Sequence, residues 1–480
     1  MHAEYHIADI TLELDRCNLL PAIVFRTARA QCDTDVQRAA NHPRLALPIY
    51  MQKELKAAVF EIVRSYDMET DLILNHPHYP ALVRSGIGAH HAGQLLMWRL
   101  LLEELMSMGV LRVLIATGTV AAGVDFPART VVITAHSKRG GEGYKNLTAA
   151  EFQQMSGRAG RRGKDTVGFC VAAPSTFCDA RELLKISKKT AEPLVSAYFP
   201  SPSTVLNLLR YRNVDDLHYT VQRSLAAYID KQNAVKLLKE AEEVSDEIEA
   251  KVGQRIIEDG EQAKFPREIN KMMKRRRRIE KQSAELEKRQ EAMLEQTLNG
   301  LRALGHLYQY TLSEKGYWSA NLCTSLVLEL AEIVQEGMLN NVSAERMTAI
   351  IASICADEHR QYLKTKEPPL SEEDITQLSE IINRVQDLDL PGVTDTRIVV
   401  PNASHTVLMW LKAETWQEFR GLLRLCGAQE GDAARLITQT AEHLHQLTRL
   451  SETFPQIALR AEEGRRRLLR PPLTEAINLE

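Results

Sequence analysis

The most chemically loaded feature of this chain is a pair of arginines three residues apart on a glycine-rich segment. In EFQQMSGRAGRRGKD, Glu151 to Asp165, the residues Gln154, Gly157, Arg158, Gly160 and Arg161 satisfy Q-x-x-G-R-x-G-R. Guanidiniums at this spacing, on a glycine-softened loop entering or leaving a helix, can converge on one multiply charged anion. A solvated basic loop is the plainer alternative, and the regular placement of the glycines speaks against it. A second segment, ATGTVAAGVDFPARTVV from Ala116 to Val132, follows the apolar run RVLIAT. A strand ending in Thr-Gly-Thr and turning through Gly123 and Asp125 toward Pro127 offers hydroxyls and backbone N–H groups to a ribose or a sugar-phosphate chain.

Both segments need a rigid sheet to hold them. LPAIVF (Leu20 to Phe25), GIGAHH (Gly86 to His91), RVLIAT (Arg112 to Thr117), VVIT (Val131 to Thr134) and VGFCVA (Val167 to Ala172) have the length and β-branched content of buried parallel strands. QLLMWRLLLEELMSMG has helical period and is stopped by Gly109. This alternation predicts a parallel α/β sheet up to about Ala191. Beyond it the strands cease. STVLNLLRYRNVDDLHYTVQRSLAAY reads as two helices, the second capped by Asp215 and Asp216. The charged stretch from Asp230 to Asn299 reads as two long helices in an antiparallel hairpin, because Gly260 and KFPREI interrupt it. From Leu301 onward the pattern is helical, broken at Pro368-Pro369 and from Leu390 to Asn402.

Composition narrows the class. At 480 residues the chain holds about two to four domains. Hydrophobic residues at 44% and charged ones at 26% suffice for a buried core. Lys+Arg 60 against Asp+Glu 63 leaves a formal charge of -3, so a nucleic-acid surface has to be a local patch. The seven scattered cysteines, with no C-x-x-C pair, argue against a disulfide framework and a cysteine zinc site. No apolar run reaches the ~18 residues of a membrane helix, and the N-terminus lacks a signal-peptide pattern. A soluble, cytoplasmic protein with no membrane partner is expected.

The order PAIVF, GIGAHHAG, RVLIATGTVAAGVDFPA and FQQMSGRAGRRG resembles motifs IV to VI of superfamily II helicases, specifically the superkiller-like DExH group. In that group these motifs belong to the second of two RecA-like lobes. PSTVLNLLRYRNVDDLHYTVQRSLAAY and LSEKGYWSANL are similar to the ends of the family's winged-helix region. VLELAEIVQEGMLNNVSAERMTAIIASI and MWLKAETWQEFRGLLRLCGAQEGDAARLITQTAEHLHQL resemble its C-terminal helical (DSHCT) domain. The implied organisation is an α/β RecA-like lobe over 1–191, a winged-helix-like region over 192–230 and 300–320, a charged helical hairpin inserted at 231–299, and a helical bundle over 321–480.

The resemblance also implies roles. Arg161 becomes the arginine finger and Arg158 its neighbour on the γ-phosphate of ATP. Gln154, Gly157, Gly160, Gly123 and Asp125 complete that side of the cleft, and Thr119, with Gly93, lies against the nucleic-acid backbone. The adjacent His90 and His91 point in different directions, which argues against a metal pair, and His91 reads as structural or as a contact to that backbone. The departure from the family is as informative. The only Gly-Lys dipeptide is Gly163-Lys164, followed by Asp165, so no G-x-x-x-x-G-K-[ST] phosphate loop exists in these residues. Asp357-Glu358-His359 lies beyond the arginine motif and reads as a solvated helix end rather than an acidic metal box. ATP with Mg²⁺ is the expected cofactor, its metal ligands supplied by a first lobe, either a missing N-terminal part or a separate polypeptide. The expected function is therefore the C-terminal portion of an ATP-dependent RNA helicase, inactive as this chain alone. The alternatives are a non-catalytic nucleic-acid-binding scaffold with a helicase-half fold, and a DNA helicase. Lys274 to Arg278, KRRRR, reads first as the solvated face of a long helix.

Overall fold

The computed structural model describes residues 5–473 apart from 119–126, 141–142, 176, 260–266 and 394–395. Its first part is built on a five-stranded parallel sheet. In chain order the strands are β1 (Ala22–Arg26), β2 (Ile87–His90), β3 (Val113–Thr117) and β4 (Thr130–Ile133). A short antiparallel hairpin follows, β5 (Ser137–Gly140) with β6 (Gly143–Asn146), and then β7 (Phe169–Ala172). The sheet order is β2-β3-β1-β4-β7, with Ala22 opposite Val113 on one side and Thr130 on the other.

Side-chain alternation explains why the strands read as unbroken apolar runs. Ile23, Phe25, Leu114, Ala116, Val131 and Ile133 face one buried cluster, while Ala22, Val24, Val113, Ile115 and Val132 face another. Helices cover both faces, so neither alternate set can be polar. The helix Leu96–Met108 supplies Trp98, Leu101, Leu102 and Leu105 to the first cluster. It ends, as its sequence suggests, at Gly109 in the left-handed conformation, φ 80°. The helix Arg29–Asn41 supplies Cys32 and Val36 to the second.

Among the described residues, the regular elements that follow are helices apart from a two-stranded ribbon, β8 (Leu307–Tyr308) with β9 (Thr311–Leu312). The helix Val214–Gln222 is capped by Asn213, not by the aspartates themselves. Asn213 accepts the Asp216 N–H at 2.9 Å, and the Asp216 carboxylate returns to the Asn213 N–H at 3.3 Å, closing a capping box. Two long helices, Leu225–Asp259 and Arg267–Ala303, run antiparallel. Ser283 Oγ donates to the Ala234 carbonyl at 2.9 Å, Gln290 Nε2 to Asp230 at 2.8 Å, and Val244, Ile248 and Ile269 form their own apolar cluster. The C-terminal helices close around Trp410, Trp416 and Phe419, whose rings lie 5.1–5.6 Å apart.

Candidate functional site

The helix that introduces the arginine loop, Ala149–Ser156, is tied down at its N-terminus. Thr148 Oγ1 accepts the Glu151 N–H at 3.1 Å and the Glu151 carboxylate accepts the Thr148 N–H at 3.0 Å. Lys138 pairs with Glu151, and the Glu192 carboxylate accepts the Ala149 and Ala150 N–H groups at 3.2 and 3.3 Å. The helix stops at Gly157, where an added Cβ would lie 2.8 Å from the Gln153 carbonyl oxygen.

Past Gly157 the chain straightens into a short parallel bridge. Ala128 N–H donates to the Arg158 carbonyl at 3.0 Å and Gly160 N–H to the Ala128 carbonyl at 2.7 Å. On the other side Gly168 approaches so closely that a Cβ there would sit 2.5 Å from the Ala159 carbonyl carbon. Gly160 itself has φ 94°, a conformation that only glycine adopts without strain. The loop is thus wedged between the approaches to β4 and β7.

Arg161 is bound three times by one carboxylate. Asp165 Oδ2 accepts the Arg161 backbone N–H at 2.9 Å and Nε–H at 2.8 Å, and Oδ1 accepts Nη2–H at 3.0 Å. The turn is closed by Lys164 and Asp165 N–H groups, both donating to the Arg161 carbonyl, at 3.0 and 2.9 Å. These bonds hold the Asp165 carboxyl down to about 2, the Arg161 side-chain bond first among them. Asp165 entered the sequence reading only as the residue that breaks a phosphate-loop pattern. Its spacing of four from Arg161 was the available signal. Gly168 carried no comparable one.

The second segment meets the first at its start. β3 ends at Thr117, and a Cβ on Gly118 would lie 3.1 Å from Met155 Cε on the arginine helix. The Ala128 bridge secures its far end. Thr119, Gly123 and Asp125 lie outside the described residues. Of the others, Gly157, Arg158, Gly160 and Arg161 share one loop, and Gln154 is exposed on the helix that leads to it.

His90 and His91 point to different carboxylates, His90 Nε2 to Glu103 at 2.5 Å and His91 Nε2 to Asp33 at 2.8 Å. His91 is 1% exposed, its Nδ1 accepting the Gly93 N–H at 3.2 Å. Gly93 is covered by the helical part. Its carbonyl accepts the Gly431 N–H at 3.0 Å, and a Cβ on it would meet Gln429 Oε1 at 1.9 Å. Gly93 and His91 therefore sit at a seam between the sheet-based part and the helix Glu430–Thr448. Arg29 closes that seam through Asp432 at 2.8 and 2.9 Å and Gln429 at 3.1 Å. These residues, like the buried Arg26–Asp35 pair at 2.7 Å, come from positions without a local motif.

Asp357-Glu358-His359 follows the helix Ala344–Cys355 as a turn, Asp357 accepting the His359 N–H at 3.0 Å. It lines an open cleft of about 270 Å³ with Arg360, Arg397, Asp432 and Arg435. Among the described residues, no group of three His, Cys, Asp or Glu side chains converges on a metal position. No described helix is long and apolar enough to cross a membrane.

Comparison with known families fits this geometry. Residues 89–163 match the helicase conserved C-terminal domain, and residues 309–476 match the DSHCT (NUC185) domain. Similar proteins include the chloroplastic DExH-box ATP-dependent RNA helicase DExH15 of Arabidopsis thaliana, 33% identical over 270 residues, 51% of this chain and 22% of that protein. The probable helicase HelY of Mycobacterium tuberculosis is 33% identical over 253 residues, 51% of this chain and 27% of that protein. The ATP-dependent RNA helicase mtr4 of Schizosaccharomyces pombe is 31% identical over 227 residues, 47% of this chain and 20% of that protein. The chain thus spans about a fifth to a quarter of these relatives' length. It carries a helicase conserved C-terminal domain followed by a DSHCT domain and is a homologue of the superkiller-like DExH RNA helicases, consistent with their C-terminal part.

Proposed function

We propose that this chain supplies the arginine-bearing side of the nucleotide cleft of an ATP-dependent RNA helicase, with Arg161 as the arginine finger and Arg158 beside it. The observation that carries the reading is the loop itself: Arg158 and Arg161 stand three residues apart on one segment whose backbone is held by Ala128 and closely approached by Gly168, and arginines on a fixed backbone can serve a multiply charged anion. Gln154, Gly157 and Gly160 belong to the same side. By the resemblance of their motif, Gly123 and Asp125 are assigned to the nucleotide side and Thr119 to the nucleic-acid backbone. RNA is preferred over DNA because the names of the relatives DExH15 and mtr4 are those of RNA helicases.

The phosphate loop and the ligands of Mg²⁺ come from a first RecA-like lobe, on a longer polypeptide or a partner chain. When bound, Mg²⁺-ATP supplies the scissile phosphoryl group, and this chain's residues neutralise charge on it. Residues 192–230 and 300–320 are read as the winged-helix-like region, with β8 and β9 as its wing, and 321–480 as the DSHCT-type bundle.

The test is to combine the purified chain with a first-lobe polypeptide and measure RNA-stimulated ATP hydrolysis. The chain alone is expected to show none, the combination to turn over, and Arg161→Ala to abolish turnover. ATP hydrolysis by the highly purified chain, lost in Arg161→Ala, would refute the divided cleft.

A further inference from the structure

We propose that Asp165 is the positioning residue of the arginine loop, a splint that grips the Arg161 guanidinium by one edge and leaves its other edge for a phosphate. The inference rests on the cleft reading above and goes beyond it, since Asp165 lies outside Q-x-x-G-R-x-G-R.

A guanidinium has two edges that can hold an oxyanion bidentately, Nε with Nη2 and Nη1 with Nη2. Asp165 occupies the first, at 2.8 and 3.0 Å. The Nη1 group has no partner among the described residues. Exposure separates the pair: the Asp165 side chain is 3% exposed and that of Arg161 is 21%. The carboxylate lies inside the loop, and the open part of the guanidinium lies away from it.

An exposed ion pair four residues apart contributes little and orders little. This one differs in three respects. Its carboxylate is enclosed. It also binds the backbone N–H of the residue whose side chain it holds, at 2.9 Å, so the main chain and guanidinium of Arg161 are fixed together. And Gly163, at φ 74°, lets the loop double back to deliver it. The Arg129 charge also favours the ionised carboxylate. An arginine already oriented does not have to be ordered when charge develops on the transferred phosphoryl group, so the splint acts on turnover more than on ATP binding.

The experiment has two arms. In the first, this chain is treated with phenylglyoxal and adducts are counted arginine by arginine by peptide mass spectrometry. Arg161 is expected to react about tenfold faster in Asp165→Asn than in the parent, the worth of one charge-assisted bond. Arg162 should react unchanged, and Asp165→Glu should restore part of the protection. Thermal melting of each variant separates loss of the splint from loss of the fold. An Arg161 rate that is the same in parent and Asp165→Asn overturns the proposal. In the second arm, the chain combined with a first lobe is assayed for RNA-stimulated ATP hydrolysis. Asp165→Asn should lower kcat about tenfold while KM for ATP stays within about twofold. A rise in kcat, or tighter ATP binding, would mean that Asp165 competes with the phosphate and would overturn the splint. If the parent combination shows no turnover, the cleft reading fails, and the phenylglyoxal arm still decides whether Asp165 holds Arg161.

Discussion

On the arginine loop, Arg161 keeps 21% of its side chain exposed and is held by three bonds to an enclosed carboxylate. On the second arm of the long hairpin, Arg275 is 62% exposed and reaches Glu240 on the other arm at 2.7 Å. Arg276 reaches Ser245 at 3.1 Å and Glu280 at 3.3 Å. The hairpin run has the higher density of positive charge, yet Arg275 and Arg276 pair as a solvated helix face does, across to the neighbouring helix and along their own. The loop has fewer charges and a fixed backbone. The difference teaches that a binding geometry is made by what immobilises arginine, not by how many arginines adjoin.

The largest effect that could break this contrast is on turnover. In a reconstituted helicase, Arg161→Lys is expected to reduce ATP hydrolysis on the order of a thousandfold, since a point ammonium cannot reproduce the planar fork. RNA binding without nucleotide should barely change, and Arg277→Ala on the hairpin should leave turnover within about twofold of the parent. Near-parental turnover by Arg161→Lys would make the loop a structural basic turn.

Titration distinguishes the two regions next. Asp165, held at about 2, keeps the loop's ion pair intact at any pH above the ordinary carboxylate range. At the base of the hairpin, His306 is 0% exposed, bonds Ser319 Oγ through Nδ1 at 2.9 Å, and is pushed down to about 3 by burial and then by Lys315. A histidine held neutral in the fold takes up its proton more readily when unfolded, so its contribution is present above 6.5 and is lost as the pH falls toward 3. Between pH 7 and pH 5 the helical half should lose about 2 kcal/mol through this one group. Urea melts at both pH values, with His306→Asn as the control, check it. An identical pH dependence in parent and variant would assign the loss elsewhere.

The clamp on the loop predicts a smaller but local change. Gly168→Ala forces a methyl group into the Ala159 backbone and should destabilise the sheet-based part by about 1–3 kcal/mol. Trypsin should also cut faster after Arg161 and Arg162 in that variant. Unchanged cleavage would show that the wedge between β4 and β7 does not hold the loop.

The smallest effects belong to the hairpin. Arg275→Ala should alter stability by less than about 0.5 kcal/mol, because both partners are largely exposed. In anisotropy titrations with single-stranded RNA, Lys274→Gln with Arg278→Gln should leave the log–log salt slope within about 0.7 of the parent, the value of one phosphate contact. A larger shift would make the hairpin part of the nucleic-acid surface and narrow the contrast with the loop.

Local rules written in the chain determined much of this protein. Four of the five apolar runs became buried strands because both sheet faces are covered there, whereas VGFCVA, expected to be buried, forms the edge strand β7 with Phe169 and Cys170 exposed. Gly109 stopped its helix because glycine tolerates the left-handed turn. The Q-x-x-G-R-x-G-R spacing singled out the loop because only glycine permits the φ of Gly160 and the close approach at Gly157. Tertiary structure alone decided which residues far apart in sequence meet, since no local spacing announces them. Arg29 meets Asp432, the Gly93 loop is covered by Gln429, and Ala128 and Gly168 close on Ala159 from opposite sides. Asp215 and Asp216 illustrate the boundary between the two levels: sequence located the helix start they mark, while the backbone conformation at Asn213 selected the residue that caps it.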